Sequence, residues 1–370
     1  MKIAIVHDYL NQYGGAEKVV EVLHDVFPDA PIYTSIYIPE NMPECFREMD
    51  IRTSFMQKLP FLNKHFKKYL MLYPKAFKSF DLSEYDVILS SSSAFAKGVN
   101  INSNILHICY CYSPMRFVWN YESYIEKERF SGIVRKILPF FIARLRQWDL
   151  KTNNNVDYFI AISKYIQDRI MRCYGCKSEV IYPPVNVKDL KISQETSDYF
   201  LVVSRLNAYK RIDLAIKAFN QLGLPLEIIG DGTERKFLER LAGPNVKFLG
   251  KVSMDVLTEK YSQCQAVIFP GDEDFGIVPV EAQACGRPVI AYAAGGALET
   301  VIENITGIFF KEPTVESLVE AVKKLNTIKS GFSCETIREN VFQFDEEIFK
   351  RKIKAFVEKK YSEFRKEQRP

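Results

Sequence analysis

Glu273 and Glu281 stand eight positions apart in the stretch FPGDEDFGIVPVEAQACGRPVIAYAAGGALETV, residues 269–301. On a helix rising 1.5 Å per residue that spacing is about 12 Å, too long for two carboxylates to share one proton. It suits two hydrogen-bonding tasks on one extended ligand: one acid accepting from hydroxyls near a phosphate, the other from a ribose. Between them, Asp274, Phe275, Gly276 and Ile277 are expected to open a helix that continues through Val280, Glu281, Ala282 and Ala284, with Glu273 in the preceding loop. The backbone N–H groups of Phe275, Gly276, Ile277 and Val278 then lack acceptors within the helix, and with the helix dipole they favour a phosphate. Upstream, SRLNAYKR sets Arg205 and Lys210 directly after the apolar run FLVVS. Two cations at the carboxyl end of a strand can face a diphosphate and offset the negative charge that builds on a departing nucleoside diphosphate.

The elements that must position these groups are legible as short apolar, β-branched runs with helical patterns between them. Runs at Ile3–Val6, Val87–Leu89, Leu106–Tyr110 and Tyr158–Ile162 are followed by Phe200–Val203, Leu226–Ile229, Ala266–Phe269 and Pro288–Ala291. Alternation of this kind predicts βαβ units and parallel sheets, an α/β chain of two Rossmann-like lobes. Between the two sets Pro183 and Pro184 forbid helix and remove ladder donors, which places the linker around Tyr182–Val187. The expected division is residues 1–185 and 186–341, with a C-terminal helix from about 342 to 370 that leaves the second lobe to pack on the first. In that helix Ile348, Phe349, Ile353, Phe356, Val357 and Tyr361 have helical spacing.

Composition narrows the function classes. The 370 residues are 47% hydrophobic and 26% charged, an ordinary globular balance for about two domains, which excludes disorder and fibrous repeats. Eight cysteines are too few for a disulfide-dense secreted scaffold. Lys and Arg total 50 against 46 acids, and a formal charge of +4 gives no reason to expect a nucleic-acid partner. The N-terminal MKIAIVHDYL runs straight into a polar loop, unlike a signal peptide, and no run reaches the ~20 apolar residues of a spanning helix, so a cytoplasmic location is expected. Charge is nonetheless uneven. Residues 51–80 hold Arg52, Lys58, Lys64, Lys67, Lys68, Lys75 and Lys78 with no acid, interleaved with Phe55, Phe61, Phe66, Tyr69, Leu70 and Tyr73. Residues 129–151 hold Arg135, Lys136, Arg144 and Arg146 around LPFFIARL. Such composition fits surface helices lying in an anionic interface, a peripheral site on the inner face of the plasma membrane.

In the first lobe, Ile3–Val6 leads into HDYLNQYGGAEKVVEVL, where Gly14 and Gly15 precede a helix with Val19, Val22, Leu23 and Val26 on one face. The glycines let backbone approach a diphosphate or a sugar, but the GxGxxG fingerprint is missing, which argues against a nicotinamide site. Of four histidines, His7 at the strand end is the site candidate, and His24, His65 and His107 read as structural. Cys173 and Cys176 form a lone C-x-x-C, Cys109 and Cys111 lie in an apolar strand, and neither pair completes a zinc site. Asp272, Glu273 and Asp274 are consecutive at a turn, where side chains rarely point together, so no essential metal is expected.

Taken together, the motifs resemble the retaining glycosyltransferases of family 4, whose glutamate, seven residues, glutamate motif is matched by Glu273 through Glu281. GDGTER at residues 230–235, VKFLGKVS at 246–253 and AAGG at 293–296 extend the likeness over nearly the whole chain. The resemblance implies the GT-B fold, two Rossmann-like lobes facing a central cleft. It also implies that Arg205 and Lys210 hold the donor diphosphate, that Glu273 contacts the donor sugar and Glu281 the ribose, and that residues 274–278 and Gly230 line the donor, with its base near Phe248 and Lys251. His7, Asp8, Gly14, Gly15 and the following Ala16 and Glu17 are similar to bacterial mannosyltransferases of polysaccharide assembly. So is CYCYSPMRFVWNYESY, in which Arg116 matches and Tyr112 stands where many relatives carry histidine; these residues fall on the acceptor side. What is implied is hexose transfer, mannose from GDP-mannose, to a polyprenyl-diphosphate-linked or polysaccharide acceptor, with no cofactor beyond the nucleotide-sugar substrate. A UDP-sugar donor, a two-lobed nucleotide-sugar epimerase and a non-catalytic donor-binding membrane scaffold are the alternatives.

Overall fold

The computed structural model describes residues 1–62, 66–120, 132–328 and 331–368. The chain divides into two compact units, Met1–Pro184 with Phe349–Pro370, and Val185–Ile348. The division falls directly after the Pro183–Pro184 pair.

In chain order the first unit contains β1 (Ile3–His7), α1 (Gly15–Val26), β2 (Ile32–Thr34), β3 (Ile51–Thr53), α2 (Tyr73–Lys78) and β4 (Val87–Ser92). It continues with β5 (Leu106–Cys111), α3 (Arg116–Trp119), α4 (Gly132–Thr152), β6 (Tyr158–Ala161), α5 (Lys164–Tyr174) and β7 (Ser178–Val180). The seven strands form one sheet in the order β3-β2-β1-β4-β5-β6-β7, every pairing parallel. β1, β4 and β5 are buried along their whole length, as central strands covered on both faces must be, which is why they read as continuous apolar runs rather than alternating ones. α5 shows how local sequence sets a helix: Ser163 Oγ accepts from the Ile166 amide at the start, and Gly175 closes the end at φ 67.

The second unit contains β8 (Phe200–Val203), α6 (Ile212–Leu222), β9 (Leu226–Ile229), α7 (Arg235–Leu241), β10 (Val246–Gly250), α8 (Met254–Gln263), β11 (Val267–Phe269) and α9 (Ile277–Ala284). β12 (Val289–Tyr292), α10 (Ala297–Thr300), β13 (Gly307–Phe310), α11 (Val315–Ile328) and α12 (Cys334–Val341) complete it. Its six strands run β10-β9-β8-β11-β12-β13, again all parallel. Counted within each unit the order begins 3-2-1-4-5-6, the doubly wound Rossmann-like arrangement, and the first unit adds a seventh strand beyond the sixth. The core of this unit gathers Leu214, Ala215, Ala218 and Phe219 of α6 and Leu318, Val322 and Leu325 of α11 onto β8, β9 and β11.

The C-terminal helix, α13, runs Glu346–Glu367 and counts with the first unit from Phe349 onward. Phe349, Ile353, Phe356 and Val357 are its buried residues, and Phe349 packs edge-on against Tyr110 with ring centroids 5.7 Å apart.

One expectation from composition is corrected here. Residues 51–80 do not form one amphipathic surface helix: β3 is followed by short 3-10 turns at Phe55–Lys58 and Phe66–Leu72 and by α2. Tyr73 and Phe77 turn into the core, and Phe66, Tyr69 and Leu70 pack against it, so much of the aromatic content serves the interior. Phe55, Lys58, Phe61, Lys68, Lys75 and Lys78 are exposed. The second basic stretch is helical, in α4, with Phe140 67% exposed. Lys64, His65 and Arg129 lie outside the described residues. Strands β2, β3 and β7, three residues each, carry too little alternation to be read from sequence.

Candidate functional site

Strand order decides which loops of the second unit meet. β8 and β11 are far apart in the chain yet adjacent in the sheet, with the chain winding outward in opposite directions from them. In open parallel sheets the crevice beyond such a switch point is where ligands bind. The loop after β8 carries Arg205 and Lys210; the loop after β11 carries Glu273 and Asp274. Lys210 Nζ and Glu273 Oε1 meet there as an ion pair, their side chains 11% and 22% exposed. Lys210 Nζ also sits over the Tyr209 ring, 5.1 Å from its centroid, and Arg205 Nη2, on an exposed side chain, lies 3.5 Å from the Tyr209 hydroxyl. A lysine held mostly out of water against a single carboxylate is a cation poised to be shared with an incoming anion.

The helix expected at 274–284 begins at Ile277, capped by Gly276 at φ 91, a conformation that L side chains rarely adopt. Its first N–H groups, at Ile277 and Val278, have no acceptor within the helix, and Pro279 follows where a missing N–H does least harm. Phe275 contributes only backbone toward this end, because its ring is buried against Phe344 with centroids 5.4 Å apart. The AAGG segment forms the adjoining wall. A Cβ on Gly295 would lie 2.2 Å from the Glu273 carbonyl oxygen and one on Gly296 would lie 2.2 Å from Phe275 Cα, while Gly296 N donates to Glu273 O at 2.8 Å. Two glycines thus let the β12 loop press against the backbone that holds Glu273. Further along α9, Glu281 Oε2 accepts from the Tyr261 hydroxyl of α8 at 2.9 Å.

Gly230, in the loop after β9, has φ 128, and a Cβ there would lie 1.9 Å from Ser204 O. Loop packing alone therefore requires glycine, and it threads GDGTER along SRLNAYKR, with Leu206 N donating to Asp231 O at 3.0 Å and Glu234 N to Leu206 O at 2.9 Å. Phe248 and Lys251 fall on and just after β10, the edge strand, with Lys251 exposed. The structure thus gathers Arg205, Lys210, Gly230, Glu273 and the α9 N-terminus at the carboxyl ends of β8, β9 and β11. Tyr209 and Tyr261 were not singled out from sequence: nothing local marks Tyr209 among surface tyrosines, and Tyr261 reaches Glu281 from another helix.

In the first unit the loops after β1 and β4 occupy the corresponding place. His7, which ends β1, and the following Asp8 are buried, 2% and 1% exposed. Asp8 accepts five hydrogen bonds: Oδ2 from Ser93 N, Ser93 Oγ and Ala94 N, and Oδ1 from Phe95 N and Ala96 N, at 2.6–3.0 Å. Its carboxylate ties the β4 loop to β1, a structural task that sequence did not reveal. Gly14 caps α1 and Gly15 begins it, and a Cβ on Gly14 would come 3.2 Å from Glu17 Oε2. Tyr112, 9% exposed, donates to Ala16 O at 2.9 Å. Arg116 begins α3, half-buried. His107 is sealed between Asn155 O, 2.6 Å from Nδ1, and Ser90 Oγ, 2.8 Å from Nε2; burial pushes its pKa down to about 4. Among the described residues no three His, Cys, Asp or Glu side chains gather as a metal site would require.

Two family models adjoin along this sequence, Glycosyltransferase Family 4 over residues 13–189 and Glycosyl transferases group 1 over 188–344. An uncharacterized glycosyltransferase of Methanocaldococcus jannaschii is 29% identical over 214 residues, 56% of this chain and 60% of that protein. The alpha-1,3/1,6-mannosyltransferase ALG2 of Kluyveromyces lactis is 26% identical over 376 aligned positions, 82% of this chain and 71% of that protein. A GDP-mannose-dependent monoacylated alpha-(1-6)-phosphatidylinositol monomannoside mannosyltransferase of Corynebacterium glutamicum is 30% identical over 212 residues, 49% of this chain and 55% of that protein. The chain thus spans little more than half the length of the first and third of these relatives. Among solved structures, Anabaena HepE in complex with UDP matches with a TM-score of 0.73 at 19% identity, over 97% of this chain and 100% of that one. Sucrose-phosphate synthase of Thermosynechococcus elongatus matches with a TM-score of 0.76 at 19% identity, over 98% of this chain and 100% of that one. At these identities the likeness is one of fold, the GT-B architecture.

Proposed function

We propose that this chain, which belongs to the family 4 glycosyltransferases, is a retaining transferase that moves a hexose, mannose from GDP-mannose, to a lipid-linked or polysaccharide acceptor. The observation that carries the reading is the meeting of Lys210 and Glu273 at the β8/β11 switch point, beside the N-terminus of α9. A donor diphosphate entering there draws Lys210 away from Glu273, with Arg205 and the α9 amides as its other partners. Glu273, released, accepts from the sugar hydroxyls, and Glu281 accepts from the ribose. Charge developing on the departing diphosphate is stabilised by Arg205 and Lys210, and that leaving group takes the proton of the acceptor hydroxyl on the same face, so configuration is retained without a protein nucleophile. The α9 residues and cations needed are all on this chain, and no metal is required to balance the diphosphate.

Guanine as the base and mannose as the sugar rest on the named mannosyltransferase relatives. A UDP-sugar is the second reading, favoured by the fold neighbour that holds UDP. A thermal-shift series with GDP, UDP and ADP separates them: a ligand at 100 times its Kd stabilises by about 2.7 kcal/mol, so selective GDP stabilisation supports the first reading and selective UDP stabilisation replaces it. An NMR assay with donor alone tests the epimerase alternative, because only an epimerase converts it without acceptor; a donor bound but never consumed with any glycan acceptor would indicate a binding scaffold.

The same reading puts the chain on the inner, anionic face of the membrane, through exposed Phe55, Phe61 and Phe140 among exposed lysines. No described helix is long and apolar enough to cross a membrane. Binding to phosphatidylserine vesicles should fall with salt and in Lys58→Glu/Lys68→Glu/Lys75→Glu; binding indifferent to both rejects this placement.

A further inference from the structure

Arg211 follows Lys210 directly and enters α6 from the left-handed region, at φ 55 and ψ 35. An L residue other than Asn or Asp rarely stands there, because its Cβ crowds the backbone. A second cost falls on the same position. Arginine carries no acceptor for the first N–H groups of α6 and makes no side-chain cap, whereas Ser, Asp or Asn in extended backbone would supply one. The guanidinium turns to Asp213, Nε to Oδ1 at 3.2 Å, an ion pair with both side chains partly exposed. Starting a helix therefore does not account for the left-handed residue.

The place of Lys210 does account for it. A 3-10 turn over Ala208–Lys210 has Lys210 N donating to Asn207 O at 3.0 Å and Arg211 N to Ala208 O at 3.2 Å, and α6 begins at once, with Leu214 N donating to Arg211 O at 3.0 Å. One residue joins the two helices, so their change of direction is concentrated in Arg211. On the other side lies Gly271, in the loop after β11: a Cβ there would come 3.2 Å from Lys210 O and 3.3 Å from Lys210 Cα. The Lys210 backbone is thereby set against the loop that carries Glu273, and its Nζ reaches both Glu273 and the face of Tyr209. We propose that Arg211 and Gly271 are positioning residues, the first through its left-handed backbone and the second through its missing Cβ, that aim Lys210 Nζ at Glu273 before a diphosphate arrives. The Arg211 guanidinium has no part in this. That Nζ serves a diphosphate rests on the transferase reading; its placement does not.

The test is a ¹H–¹³C spectrum of the full chain labelled at lysine, in which the Tyr209 ring displaces the ε-methylene signal of Lys210; Lys210→Arg assigns the signal and Tyr209→Leu returns it to the ordinary lysine position. Arg211→Gly and Arg211→Asn, which accept left-handed backbone, should keep the displaced signal, and Arg211→Val, whose branched Cβ does not, should lose it. With GDP-mannose or UDP-glucose as donor, kcat should fall about tenfold or more in Arg211→Val and stay within about twofold of wild type in the Gly and Asn variants. A wild-type signal at the ordinary position overturns the proposal, as does a folded Arg211→Val with the signal unmoved. Loss of signal or turnover in Arg211→Gly and Arg211→Asn as large as in Arg211→Val also overturns it, since the guanidinium itself would then serve the site. Should Arg211→Val not fold, Gly271→Ala decides in its place: the signal is expected to move, and an unmoved signal overturns the proposal. A displaced signal that responds as expected, in a protein that turns over no nucleotide-sugar, would leave the placement of Lys210 standing and remove the transferase reading.

Discussion

The Tyr261 hydroxyl donates to Glu281 Oε2 at 2.9 Å from a fully buried ring, linking α8 to the middle of α9. The bond holds one carboxylate oxygen of Glu281 in place on a half-exposed helix face. Tyr261→Phe keeps the packing and removes one charge-assisted hydrogen bond, a loss of about 1.5–3 kcal/mol if it falls on ligand binding. The expected outcome is a donor KM raised by about tenfold or more with kcat little changed. A variant with wild-type KM would detach Glu281 from the donor.

Arg205→Ala and Lys210→Ala should each lower kcat by about 10²-fold, the loss seen when one donor to a developing oxyanion is removed. Lys210→Ala has a second consequence, since it strips Glu273 of its ion-pair partner. Wild-type turnover in both variants would exclude the β8/β11 crevice as the diphosphate site.

Gly296→Ala should displace the backbone at Phe275, which a Cβ would approach to 2.2 Å. Because the neighbour is backbone rather than a flexible side chain, nothing yields cheaply. Donor affinity measured by calorimetry is expected to fall several-fold, with a parallel drop in Tm. Unchanged affinity would mean that the AAGG segment does not shape the site.

Asp8→Ala should destabilise the first unit by about 3 kcal/mol or more, because four backbone N–H groups and one hydroxyl lose a common acceptor. Urea denaturation reads this directly. Asp8→Asn, which retains one acceptor oxygen, should lose less.

Stability should fall at both ends of the pH range. His107 is neutral when folded: its pKa is lowered from 6.5 to about 4, chiefly by burial. Its contribution is complete above pH 6.5 and is lost as pH falls through 4, about 3 kcal/mol in all, and His107→Gln should flatten that limb of a urea-midpoint profile. At the other end, burial raises the pKa of Tyr110, Tyr112, Tyr174 and Tyr261 well above 10.0. Their contribution is full below pH 10 and drains as pH rises beyond it, where the unfolded chain releases phenolic protons that the folded chain retains. A stability profile flat from pH 9 to 12 would contradict this.

Much of the second unit was legible from residues alone. Phe200–Val203 and Leu226–Ile229 are strands with the bounds read from their β-branched runs, and the helix holding Glu281 begins beside the glycine expected to open it. These features depend on neighbours within a few positions, through side-chain period, capping and backbone freedom, so the linear sequence carries them. Sequence by itself thus determined the two-lobe α/β class, the family, and the identity of the charged groups at the β8 and β11 ends.

Only tertiary structure decided the partners. That Lys210 meets Glu273 follows from sheet order, which sets β8 beside β11 although residues 204–266 intervene in the chain. That His7 and Asp8 are interior, one wired to Ser91 and the other consumed by residues 93–96, follows from β1 pairing with β4. The charge run at 51–80 failed as a surface helix because Tyr73 and Phe77 are claimed by the core. A residue's chemistry is fixed by its type and its local period by near neighbours, but burial and hydrogen-bond partners are set by which strands and helices pack together, an outcome of contacts between distant segments that no local pattern records.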